Sequence, residues 1–151
     1  MHLRRRQMRE LVKPGRTNVK YSAGGLIDIE YAVQYLQLLH GKDHVELRAP
    51  NTLDAFDRLH GLNLVSQAEF EVLNPAYLFL RSLIDALRIV RGDAGDLLLP
   101  EPNSEELKAL ARRLGYREHD RAKAALRLSA DIQERMKHVH SVFITRFATM
   151  S

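Results

Sequence analysis

The stretch Lys20-Tyr21-Ser22-Ala23-Gly24-Gly25-Leu26-Ile27-Asp28-Ile29-Glu30 decides the fold, because it admits two opposed readings. As a strand, it sets Asp28 and Glu30 two residues apart on one face behind a glycine pair. Two carboxylates so placed hold Mg²⁺ on a nucleotide phosphate, as nucleotidyl transfer requires. As a glycine turn opening a helix, it puts Asp28 near the positive end of the helix dipole. Asp28 and Glu30 then lie about 200° apart around the axis and cannot chelate one ion together. The residues that follow favour the helix. Leu26, Ile29, Val33 and Leu36 recur at helical spacing over residues 26–40, and Gly41 supplies a stop. Ile27, Tyr31, Tyr35 and Leu38 make the other side apolar too, which predicts a central helix rather than a peripheral one. No β-rich segment elsewhere offers a sheet for a catalytic strand to join.

Outward from this helix, turn signals cut the chain into helix-length pieces. Residues 1–12 are helix-compatible and stop at Lys13-Pro14-Gly15, and residues 16–20 form a polar lead-in. Three later starts carry capping chemistry: Asn51 before Thr52-Leu53-Asp54, Ser66 before Gln67-Ala68-Glu69, and Asn103 before Ser104-Glu105-Glu106. Pro75 interrupts the apolar pattern of residues 66–90 and predicts a break or kink near Asn74. Past it, Phe79, Leu80, Leu83, Leu87 and Val90 continue the pattern. The loop over 92–102 holds glycines and prolines, and a short helix over 104–114 ends at Gly115. From residue 118 to about 149, Ala125, Leu128, Ile132, Met136, Val139, Phe143, Phe147 and Met150 form one apolar stripe on a helix of about eight turns. The expected fold is all-α: a bundle of about five or six helices with a long C-terminal helix. It forms one domain over 1–151, with 1–20 as N-terminal helix and lead-in and 21–151 as the bundle.

Composition limits the function classes. With 45% hydrophobic and 28% charged residues over 151 positions, the chain is too apolar for intrinsic disorder. No apolar run approaches the roughly 20 residues that cross a bilayer, and the basic N-terminus lacks the apolar stretch of a secretory signal. The absence of cysteine excludes disulfides, thiolate zinc sites and cysteine nucleophiles. A cytoplasmic protein is the expectation. The net charge of +4 keeps nucleic acid in view only if the cations cluster. Arg4, Arg5, Arg6 and Arg9 do so locally, as do Arg112, Arg113, Arg117, Arg121, Lys123 and Arg127. Interleaved acids favour solvated helix faces for both groups. A basic adaptor for nucleic acid or protein would use the second cluster, but no aromatic interleaving or recognition-helix pattern supports nucleic acid. His138 and His140 point to different sides of a helix, His40 and His44 straddle Gly41, and Gly92-Asp93-Ala94-Gly95-Asp96 has the ligands of neither a P-loop nor a calcium loop. No metal site and no catalytic residue is expected in this chain.

Several motifs, in order, carry a family resemblance. They begin with Lys20-x-x-x-Gly24-Gly25-Leu26-x-Asp28-Ile29-Glu30-Tyr31-x-Val33-Gln34, then Leu36-Gln37-Leu38-Leu39-His40-Gly41. Arg48-x-Pro50-Asn51-Thr52-Leu53-Asp54-Ala55, Ala76-Tyr77-x-Phe79-Leu80-Arg81-x-Leu83 and Arg112-Arg113-Leu114-Gly115-Tyr116 follow, and Met8-Arg9 precedes. Together they resemble the helical region just after the nucleotidyltransferase core of glutamine synthetase adenylyltransferases, over roughly residues 8–145. The uridylyltransferases of the PII regulatory protein share the Gly-Gly-Leu-x-Asp segment and fit the remainder less well.

The resemblance implies regulatory covalent chemistry in nitrogen assimilation. Full-length members use ATP and Mg²⁺ to attach AMP to a tyrosine of glutamine synthetase, and a paired domain removes it by phosphorolysis. Their core carries a Gly-Ser segment, an Asp-x-Asp strand and a later Asp-x-Arg-Leu-Arg-Pro carboxylate, and none of these occurs here. The chain alone is therefore not expected to transfer AMP or to hold a cofactor. Its implied partners are a nucleotidyltransferase core, glutamine synthetase and the PII protein. A docking role suits it. Lys20, Gly24, Gly25, Asp28 and Glu30 are then candidates for contact with nucleotide or core: Lys20 facing a phosphate, the N–H groups after the glycines donating to one. The alternative has the glycines simply permitting a positive-φ turn with Lys20 solvated, and Asp28 and Glu30 acting as cap and pairing partner. Arg48, Arg81 and Arg88 are the pairing or interface candidates.

Overall fold

The structure, a computed structural model, describes residues 2–92 and 95–147. Six helices follow in order: α1 (His2–Leu11), α2 (Leu26–His40), α3 (Thr52–Gly61), α4 (Gln67–Arg91), α5 (Glu105–Arg113) and α6 (Arg121–Phe147). A single 3₁₀ turn, Val45–Leu47, lies between α2 and α3. Among the described residues there is no strand, only one antiparallel bridge between Asn18 and Leu98. None of these helices is long and apolar enough to cross a membrane. The stretch from Gly24 is thus a turn into a helix, and the all-α expectation holds. Asp93, Ala94 and Met150, named above, lie outside the described residues.

The apolar periods account for the packing. Ile29 and Val33 of α2, Leu80, Leu83 and Leu87 of α4, and Leu128 and Ile132 of α6 are fully buried in one core. α3 closes this core against α2 and α4, and α5 against α4 and α6. Removing such side chains from water supplies most of the driving force, about 1.5–3 kcal/mol each. The second apolar side of α2 behaves differently from expectation. Ile27 is buried and Tyr31 half-buried, but Leu38 is 85% exposed and Leu39 51%. α2 is central at its N-terminal half and more superficial at its C-terminal half, because no described element covers Leu38 and Leu39.

Three local expectations are corrected. Pro75 does not break α4, which runs unbroken from residue 67 to 91. Its missing N–H would have bonded the carbonyl of Glu71, and both residues are exposed, so water can take that carbonyl. Buried Leu73, Ala76, Tyr77 and Leu80 hold the helix on either side. At α5 the cap is Ser104, not Asn103: the Ser104 hydroxyl accepts from the Leu107 N–H at 3.1 Å, while Asn103 takes a left-handed φ of 61° in the turn before it. α6 also starts late, at Arg121, with the Asp120 carboxylate accepting from the Ala122 N–H at 2.9 Å.

The start of α4 is a full capping box that also anchors the far end of α6. Glu69 accepts from the Ser66 N–H at 2.8 Å, and Arg146 of α6 bonds both Glu69 and the Leu64 carbonyl. Burial pushes the Glu69 pKa up, but the hydrogen bonds from Arg146 and Ser66 outweigh it and hold the carboxyl below its usual 4.5. A lowered folded pKa means the stabilisation is complete above the unfolded value and is lost as pH falls through the folded one. Glu69→Gln is therefore expected to cost about 1–3 kcal/mol at neutral pH. The gap to wild type should close in acid; urea unfolding of both proteins near pH 7 and near pH 3 checks both halves.

Candidate functional site

The segment before α2 is built by the side chain of Asn18. Its Oδ1 accepts from the N–H groups of Lys20 and Tyr21, both at 3.0 Å, and its own N–H donates to Ser22 Oγ at 2.8 Å. On one side this loop pairs with residues 97–99, through Val19 N–H to Leu97 O and Leu99 N–H to Thr17 O, each 2.8 Å. The chain then turns at Gly24, φ 74°. A Cβ at Gly24 would lie 1.8 Å from the carbonyl oxygen of Met136, and one at Gly25 would lie 2.7 Å from the Val19 and Lys20 carbonyls. Gly24 is where α6 rests on the start of α2, and Gly25 is where the lead-in loop folds against it.

Asp28 organises this turn from inside. It is 2% exposed. Its Oδ2 accepts from the Gly24 N–H at 2.7 Å and its Oδ1 from Arg4 Nε at 2.5 Å. Arg4 Nη2 donates to the Ser22 carbonyl at 3.1 Å, and the Tyr31 hydroxyl donates to Gln7 at 3.1 Å, so α1 is pinned across the turn. The backbone N–H groups of Gly25, Leu26, Ile27 and Asp28 all donate to carbonyls within the chain, between 2.8 and 3.1 Å. Both oxygens of Asp28 are thus engaged, and no group of three or more His, Cys, Asp or Glu side chains among the described residues could hold a metal. These residues do not fit Mg²⁺.

The partner of Asp28 is Arg4, read in the sequence as part of a solvated basic cluster, and not Arg48, Arg81 or Arg88. Arg48 Nε donates to the Gly41 carbonyl at 2.9 Å and closes the C-terminus of α2. Exposed Arg88 stands 3.9 Å from Asp85, and exposed Arg81 has no ion pair among the described residues. Lys20 and Glu30 are half-buried; the Lys20 ammonium lies 5.4 Å over the Tyr21 ring. Within the basic cluster of residues 112–127, Arg121 pairs with Glu105 at 3.1 Å and Arg127 with Glu118 at 2.6 Å, which uses charge that nucleic acid would need.

Two surface features lay beyond sequence reasoning. The first is an apolar strip where α2 ends: Leu38, Leu39 and Val45 are exposed beside a groove of about 430 Å³ that includes Gln34, Gln37, Leu47 and Ala49. The Gln37 amide bonds the carbonyls of Leu47 and Ala49 at 2.6 and 2.9 Å, which fixes the 3₁₀ turn against α2 and shapes the groove. The second is a cleft of about 760 Å³ between α4, the α5–α6 turn and α6. In it the Tyr116 hydroxyl donates to Asp131 at 2.5 Å. Burial and the neighbouring Asp131 carboxylate push the Tyr116 pKa up, so the phenol keeps its proton.

The family model described as GlnD PII-uridylyltransferase matches residues 1–147. The bifunctional glutamine synthetase adenylyltransferase/adenylyl-removing enzyme of Rhodopseudomonas palustris strain BisB5 is 32% identical over 126 residues, covering 83% of this chain and 12% of that enzyme. The enzyme of the same name from Corynebacterium diphtheriae is 32% identical over 124 residues, 82% of this chain and 12% of its own length. That of Streptomyces coelicolor is 38% identical over 99 residues, 66% and 10%. The chain spans about a tenth of the length of these relatives. Motif order, an all-helical fold and the match along nearly its whole length agree: the chain belongs to the GlnD PII-uridylyltransferase family, in the helical region it shares with glutamine synthetase adenylyltransferases.

Proposed function

We propose that this chain is the helical accessory module of a glutamine synthetase adenylyltransferase-type enzyme. It docks on a nucleotidyltransferase core, in the same or a separate polypeptide, and does not transfer AMP by itself. In the complete enzyme that core would use ATP and Mg²⁺ to adenylylate glutamine synthetase and a paired unit would deadenylylate it by phosphorolysis, with the PII protein as regulator. The supporting observation is the apolar strip of Leu38, Leu39 and Val45, uncovered in a chain that spans a tenth of its relatives. Large apolar side chains exposed around the end of one helix, one of them lining a groove, are the kind of surface a partner covers. Lys20 and Glu30 are the members of the glycine segment that a core would meet, while Gly24, Gly25 and Asp28 shape it from within. Arg48, beside the groove, and exposed Arg81 and Arg88 are available to acidic groups of a partner.

Calorimetric titration of the chain with a separately produced nucleotidyltransferase core tests this reading. Leu38→Asp is expected to weaken binding at least tenfold, the equivalent of one buried leucine. Ile89→Asp, an exposed apolar position on α4, is expected to leave it within twofold. Equal affinity for wild type and Leu38→Asp would refute the docking face, and transfer of AMP to glutamine synthetase by the isolated chain would refute the accessory role.

A further inference from the structure

The cleft between α4, the α5–α6 turn and α6 is not used by the docking reading, and its charges are not balanced. Three guanidinium groups line it, those of Arg117, Arg127 and Arg135, against two carboxylates, Glu118 and Asp131. Glu118 accepts from Arg127 at 2.6 Å through one oxygen, its other being buried without a partner among the described residues, and Asp131 accepts from the Tyr116 phenol at 2.5 Å. Arg117 makes only a long bond, 3.4 Å, to the Arg112 carbonyl. Arg135 is half-buried and has neither a carboxylate within 4.0 Å nor a hydrogen-bond acceptor among the described residues; its guanidinium carbon lies 4.5 Å from the centre of the Phe79 ring. A cation–π contact engages no N–H donor of the guanidinium, so the donors of Arg135 stay free for an oxyanion. Leu78, Phe79 and Leu114 supply the other half of the wall. About 760 Å³ is within the range of small-molecule sites, which combine apolar walls with a few convergent polar groups.

We infer that this cleft binds a small organic anion, with a phosphate or carboxylate on the edges of Arg117 and Arg135 and a planar or apolar body against Leu78, Phe79 and Leu114. The Tyr116–Asp131 bond acts as the positioning element. By holding Asp131 on the phenol, it keeps that carboxylate out of a direct ion pair with Arg135.

The test is titration of the full chain with phenyl phosphate, benzoate and inorganic phosphate, read by amide chemical shifts at constant ionic strength. Saturable binding of phenyl phosphate, of benzoate or of both is expected, at residues 78–82, 114–118 and 131–135; comparing the two shows which headgroup the site prefers. Inorganic phosphate, lacking the apolar body, should bind at least tenfold more weakly than the better of them. Arg117→Gln with Arg135→Gln should reduce affinity tenfold or more, whereas Lys42→Gln, on the loop after α2, should leave it unchanged. Failure of both organic anions to saturate overturns the inference. So does the same affinity in the double variant, or an equal loss in Lys42→Gln, which would mark diffuse attraction to a basic surface. None of these residues lies on α2, so this result and the docking result are read separately.

Discussion

Gly24→Ala is expected to be among the most damaging single substitutions in this chain, with a loss on the order of 3–5 kcal/mol. Two costs add. An alanine at φ 74° pays the left-handed penalty of about 1–2 kcal/mol. Its Cβ would also sit 1.8 Å from the carbonyl oxygen of Met136, which is backbone in the middle of α6 and cannot rotate away. Only a shift of α6 off the start of α2 makes room, and that shift opens the contact at the centre of the bundle. Gly92→Ala separates the two terms, because Gly92 has the same φ of 74° with nothing within 4 Å of its added Cβ. It should cost only the backbone penalty. Urea unfolding of the two variants side by side is the measurement. Equal losses would show that α6 does not rest on the glycine turn.

The legible parts of the fold were those whose causes are local. The period of α2 and α6, the Ser66 box and the stop at Gly41 each depend on residues within a few positions of one another. Where two neighbours could do the same job, as Asn103 and Ser104 could, composition did not choose; the turn geometry before α5 did. Pro75 misled for a tertiary reason, since the packing on both sides outweighs one missing backbone bond on a wet face. The period of α2 also showed which residues are apolar but not which are covered. Ile27 and Leu38 share a face by spacing, and only the reach of the other helices leaves one buried and the other bare. At the candidate site, the glycines and Asp28 stood out from their spacing. Arg4 did not, because its partner is 24 residues away and it stands at the head of a run with Arg5 and Arg6. Of the Arg135 cleft only Arg117 and Arg127 stood out, as part of a basic cluster, since Phe79, Tyr116 and Asp131 come from three separate pieces of the chain.

Arg4→Met and Asp28→Asn are each expected to release α1 rather than to leave a lone charge buried. Removing one partner of a buried ion pair costs about 3–5 kcal/mol if the other stays in place. That is more than α1 can oppose. Among the described residues no extensive packing joins α1 to another helix, and the polar contacts that hold it are those of Arg4 with Asp28 and the Ser22 carbonyl and of Gln7 with Tyr31. Undocking returns the orphan charge to water, so global stability should fall by less than the full penalty, about 1–3 kcal/mol. Trypsin should then cut after Arg6 and Arg9 at least tenfold faster in both variants, while the products from residue 26 onward remain protected. Because both substitutions reach the same undocked state, the double variant should be no less stable than the worse single one. Losses that simply add, with α1 still protected, would mean that the 2.5 Å contact between Arg4 and Asp28 is not what holds the N-terminal helix to the glycine turn.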